Sequence, residues 1–263
     1  MSKKYFVMVL TMLWSVPAFA AHPLITDDTG TQGKGKFQLE LNGEYVKNEE
    51  NNAGITEKET GGTIAAALTY GIDDNVDIIV GFPWQWSTLR ENGSMMSNDK
   101  GIGDTSIDIK WRLLESKAHE LSLALKPGIT IPTGDEAKGF GNGKISEGMM
   151  LIVTREWQHG VLHCNVGYTH HNYEEELESE IMKKDIWHAS LATELNMADN
   201  LRAVGNIGIE TNQDDTSDTH PVFLLGGIIY SATENLDLDF GVKGGLNKAE
   251  TDTIILAGFS VKF

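Results

Sequence analysis

Long apolar runs are missing from this chain of 263 residues. Beyond the first twenty residues the longest such stretch is 222–230, interrupted by two glycines, so nothing there approaches the ~20 residues of a membrane-spanning helix. Cysteine is nearly absent. Cys164 stands alone, which excludes an intrachain disulfide framework. Basic residues are scarce: 21 Lys and Arg face 38 Asp and Glu, and the net charge of −17 argues against nucleic acid as a partner. Apolar residues at helical spacing are also rare after the first twenty positions, which removes helical bundles.

What is present points to export. Lys3 and Lys4 precede an apolar core at residues 5–14, and Pro17 leads into Ala18-Phe19-Ala20, a small-x-small cleavage pattern. A signal peptide over residues 1–20 is expected. An exported chain without spanning helices is soluble in the periplasm, secreted, or a β-barrel.

The rest of the chain repeats a unit of about a dozen residues with period two, followed by turn residues. Phe37, Leu39, Leu41 and Tyr45 share one face against Gln38, Glu40, Asn42 and Glu44. Ile107, Ile109, Trp111 and Leu113 oppose Asp108, Lys110 and Arg112, and the second half continues in the same way. Residues 149–157 and 222–230 are apolar on both faces. Connections alternate between tight and long. The tight ones include Asp74-Asn75, Asp199-Asn200 and Glu234-Asn235, where Asn tolerates the left-handed conformation of short hairpins. The long polar ones fall near 47–59, 88–101, 132–144, 173–184, 212–219 and 247–252.

This pattern predicts an all-β fold, an antiparallel transmembrane β-barrel of about 12 strands over residues 36–263, with short periplasmic turns and long extracellular loops. Periodicity alone also fits a soluble sandwich or lipocalin-like barrel. Aromatics near strand ends (Tyr45, Tyr70, Trp84, Trp111, Tyr168, Trp187), abundant strand glycine and the strand number favour the membrane form. The last strand, 253–263, ends on Phe263 and resembles the sorting signal of bacterial outer-membrane proteins; it is expected to close the barrel against residues 36–47.

The polar face supplies the lumen candidates: Glu40, Asp104, Asp108, Lys110, Arg112, Glu120, Lys126, His163, His188, Glu194, Arg202, Glu210, Asp239 and Lys243. Opposite charges there can pair and fill a narrow barrel, or line a conduit. No histidine pair has metal-ligand spacing on a helix, and no metal or cofactor is expected. His188-Ala189-Ser190 has the form of the His-x-Ser pair of a lipid-acting enzyme, yet alternation puts both on the lumen side, so no catalytic residue is expected.

Several segments together resemble a known family: Pro23-Leu24-Ile25-Thr26-Asp27-Asp28, Gly35-Lys36-Phe37, Gly101-Ile102-Gly103-Asp104, Lys110-Trp111-Arg112 and Pro132-Thr133-Gly134. The family is that of outer-membrane transporters named for the meta-cleavage pathway of phenol degradation. The resemblance implies a barrel in the outer membrane that passes small, often hydrophobic or aromatic molecules. Its expected partners are outer-membrane lipid and lipopolysaccharide, the barrel assembly machinery and the cargo; no binding residues carry over. Residues 21–35 precede the first strand and are expected to lie on the periplasmic side, where they could fold into the mouth as a plug. A closed structural or adhesive barrel with acidic loops, and a lipid-acting enzyme, are the alternatives.

Overall fold

The structure is a computed structural model that describes residues 22–52, 54–174 and 180–263. The expected signal segment and most of the acidic run at 174–180 lie outside the described residues. Thirteen strands form one antiparallel sheet: β1 (Phe37–Asn52), β2 (Ile55–Asp73), β3 (Val76–Glu91), β4 (Ser94–Ile102), β5 (Thr105–Ser116), β6 (Leu121–Ile131), β7 (Ser146–Trp157), β8 (Gly160–His170), β9 (Asp185–Ala198), β10 (Leu201–Glu210), β11 (Val222–Thr233), β12 (Leu236–Gly245) and β13 (Thr253–Lys262). β4 and β5 are two parts of one wall strand. Both run antiparallel to β3, β4 beside Trp84–Glu91 and β5 beside Val76–Gly81, with a break at Gly103-Asp104. The barrel therefore has twelve passes.

Closure comes from β1 and β13, in register from Gln38↔Lys262 to Lys47↔Thr253. Phe263 extends this seam: its amide and carbonyl exchange hydrogen bonds with Phe37 at 3.0 and 2.8 Å, and the two rings stack at 5.7 Å. Short turns gather on one rim and longer connections on the other. Two expected loops are instead strand. Residues 47–59 and 88–101 continue the ladder as hairpins, the second turning at Asn92-Gly93 with φ of 47° and 83°. Above the membrane both faces meet water, so apolar alternation stops while backbone pairing goes on.

The orientation of the two faces separates a membrane barrel from a soluble one. Trp187, pointing outward, is 58% exposed, whereas Lys126, pointing inward, is 5% exposed. Leu39, Ile64, Ile109, Leu151, Ile207 and Phe240 likewise face out, and Glu40, Asp77, Lys110 and Asn165 are buried inside. A soluble barrel would do the reverse. Aromatics mark both rims: Tyr168 against Trp187 (4.9 Å) and Trp84 against Trp86 (5.6 Å) on the long-loop side, Phe37 against Tyr70 (4.7 Å) on the short-turn side. Ile207→Arg, on the lipid face, is expected to cost about 2–4 kcal/mol in denaturant titrations of folding into liposomes.

Candidate functional site

The lumen is organised by the chain that precedes β1. From the short-turn rim, Gly35 donates to the Gly71 carbonyl at 2.8 Å, and the Gly71 amide returns a bond to Lys36 at 2.9 Å. A side chain at Gly71 would put its Cβ 1.9 Å from the Gly33 carbonyl oxygen, so only glycine admits the crossing. Moving inward, the Gln32 amide donates to Asp77 (3.0 Å) and the Thr29 amide to the Thr154 hydroxyl (3.1 Å).

At mid-lumen Asp27 is fully buried, its two carboxylate oxygens bound by Lys110 Nζ of β5 (2.7 Å) and Lys126 Nζ of β6 (2.6 Å). Asn206 of β10 accepts the Ile25 and Thr26 amides at 2.8 and 3.1 Å, and Thr26 donates its hydroxyl to Ser190 of β9 at 2.8 Å. The segment then folds back. Leu24 enters an apolar cluster of Val204, Phe223, Leu225, Ile229, Ile254 and Leu256, and His22 meets Asp239. Seating Leu24 contributes about 1.5–3 kcal/mol.

This cluster explains why residues 222–230 are apolar on both faces. Phe223, Leu225 and Ile229 point inward, but onto the N-terminal segment rather than into water. Among the described residues the segment borders a cavity on either side. One of about 520 Å³ on the short-turn side is bordered by Lys110, Glu194, Arg202 and Asp237. A smaller one of about 90 Å³ on the long-loop side is bordered by Ile25, Lys126, Met150, His188 and Glu210. Asp27, held between Lys110 and Lys126, stands between them.

Most sequence-predicted wall residues face this lumen. Glu40 and Asp108 are buried there, and the Asp108 carboxylate lies over Gly128, where a Cβ would approach it to 2.0 Å. Glu194 pairs with Arg202 (2.7 Å) and lies 3.4 Å from His163, and Arg202 also reaches Asp237 (2.8 Å). Lys243 pairs with Glu250 at 3.0 Å, and Arg112 with Glu115 at 3.4 Å near the rim. Glu120 is a correction: it is exposed in the turn before β6 with φ of 51°, because the strand begins at Leu121. The main residues that sequence reasoning missed are Asp27, Thr26, Leu24 and Asn206.

His188 Nε2 lies 3.0 Å from Ser190 Oγ and its Nδ1 3.4 Å from Glu210. The trio faces the lumen, not lipid, and the serine hydroxyl is covered by Thr26. Asp104, at the β4–β5 break, accepts the Gly134 and Asn142 amides, both at 2.9 Å, and so draws the loop 132–144 inward, with Phe140 buried against Gly101. Asp104→Ala removes two charge-assisted bonds, about 3–6 kcal/mol of local anchoring. Limited proteolysis is expected to cut that loop faster in the variant while the barrel stays folded.

Among solved structures, an outer-membrane channel from Pseudomonas putida F1 superposes with a TM-score of 0.68 at 11% identity, covering 90% of this chain and 98% of that one. The NanC porin gives a TM-score of 0.55 at 9% identity over 86% and 100% of the two chains. The translocator domain of the autotransporter NalP from Neisseria meningitidis gives 0.50 at 14% identity over 88% and 89%. At these identities the likeness is one of fold. No curated protein sequence matches this chain. The family described as "Putative MetA-pathway of phenol degradation" matches residues 25–263, from within the lumen segment to the final strand, and the chain belongs to that family.

Proposed function

We propose that this barrel is an outer-membrane channel for the passive passage of small molecules, gated by residues 22–33. The carrying observation is the pairing of Asp27 with Lys110 and Lys126, which holds a separable segment across the lumen between two cavities. A barrel meant only to be solid would fill its interior with wall side chains. Here the obstruction belongs to a single terminal strap anchored on one rim through Gly35 and Gly71. The family name supports a small-molecule cargo, and the likeness to the Pseudomonas putida outer-membrane channel supports passage through this fold. The lumen is mixed in polarity, with the Leu24 cluster on one side and charged pairs on the other, which suits small amphipathic solutes, including hydrophobic or aromatic ones.

Ser190 serves in this reading as a docking group for Thr26 and not as a nucleophile. The test is solute flux into liposomes and single-channel recording, with the intact barrel and with residues 22–33 removed. No conductance and no flux from either form would leave the closed structural barrel as the answer.

A further inference from the structure

Charge is sorted across the wall of the long-loop hairpins. In the upper part of β1 to β4 the basic residues Lys47, Lys58, Arg90 and Lys100 occupy outward positions of the ladder. Glu44, Glu50, Glu57, Glu59, Glu91 and Asp99 occupy the positions continuous with the lumen face. Glu49 alone among these acids faces out, 3.9 Å from Lys58.

The register makes this arrangement costly. Glu50 is directly opposite Glu57, and Glu57 is directly opposite Glu91, so three carboxylates form one row across three strands. Like charges in cross-strand pairs are destabilising. The Ser87 hydroxyl lies beside the Glu59 carboxyl, and Asp99 feels the Lys138 ammonium of the neighbouring loop.

A second observation points into the same patch. Gln85, 6% exposed, lies on this face opposite Thr63, two rows below Glu59, and its amide oxygen has no hydrogen-bond partner. Glu57 Oε2 and Glu59 Oε1 are also buried and unpartnered. Ser87 Oγ, on the same face between the Glu59 and Gln85 rows, is buried and unpartnered too, and uncompensated burial of such polar atoms is unfavourable. A passing cation would satisfy them.

We propose that this wall is a cation-selecting entrance, which draws solutes bearing a positive charge, such as small amines and metal cations, into the barrel ahead of anions. A cleft lined by one sign of charge concentrates counter-ions at its mouth, and rings of Asp and Glu are how cation channels select. The proposal rests on the channel reading above.

The test uses the barrel lacking residues 22–33, which leaves this wall intact, in planar bilayers under a KCl gradient. The reversal potential is expected to show a several-fold preference for K⁺ over Cl⁻. It should be strongest at about 0.1 M salt and fade near 1 M, where screening shortens to about 3 Å. Glu57→Gln, Glu59→Gln and Glu91→Gln combined should bring the ratio near parity, and Glu49→Gln, on the outer face, should leave it unchanged. A conducting triple variant with the parent reversal potential overturns the proposal, as does an equal shift from Glu49→Gln. Absence of conductance in the parent overturns the channel reading itself, and this inference with it.

Discussion

Removing residues 22–33 opens the barrel: unitary conductance rises severalfold and small solutes enter liposomes that the intact protein keeps nearly tight. The segment touches β3, β7, β9, β10 and β12 along its path and bridges β5 and β6 through Asp27. Without it the cavities on either side of Asp27 become one water-filled path. The wall itself loses little. Its strands are held by a closed backbone ladder in which every seam, β1 to β13 included, is independent of residues 22–33.

Lys110 and Lys126 would be left without Asp27, but water entering the lumen solvates them, so the cost falls well short of that for a dry buried charge. Deleting only to residue 33 keeps the Gly35–Gly71 bond at the rim. Folding is checked by resistance to denaturant, and unchanged conductance in a folded deletion variant would sink the gate.

Much of the wall was legible because a membrane barrel writes its two faces as strict alternation. Leu39 and Leu41 against Glu40 and Asn42 is readable without coordinates, and which face meets lipid follows from the aromatics at the ends. Three features were not legible, each for a physical reason. The hairpin extensions at 47–59 and 88–101 lack an apolar face because they stand in water, so a periodicity reading takes them for loops.

Asp104 alternates with β5 and so reads as a wall residue, yet the strand breaks beside it and its carboxylate binds a loop thirty residues on. The lumen partners of Asp27 come from strands 83 and 99 residues away, and nothing local in Thr26-Asp27-Asp28-Thr29 announces two lysines. The one available sign was indirect: an inward apolar face on 222–230 has to be covered by something, and Leu24 covers it.

Asp27→Asn, in the full-length chain, should release the plug by itself. The Asp27 carboxylate is bonded by two ammonium groups whose side chains are 7% and 5% exposed. Removing one partner of a buried ion cluster while the cluster stays dry costs about 3–5 kcal/mol. At about 1.4 kcal/mol per tenfold, the docked-to-undocked ratio falls by roughly two to three and a half powers of ten. Since the barrel wall does not depend on the segment, that energy appears as undocking and not as unfolding.

Single-channel records should change from mostly closed to mostly open, with an open level matching the deletion variant. Replacing all three groups, Asp27→Leu with Lys110→Met and Lys126→Met, should restore closure, because an apolar cluster needs no charge partner. Acidity tests the same latch. Burial alone would raise the Asp27 carboxyl, but the two lysines outweigh it and hold it below the ordinary 3.8. A value lowered in the folded state gives stability that is complete above the unfolded value and lost only as pH falls through the folded one. From neutral pH down to about 4 the intact barrel therefore stays closed, and on the acid side it opens only below that. An Asp27→Asn protein with wild-type closure would show that the two lysines do not depend on Asp27, and that something other than this latch holds the lumen shut.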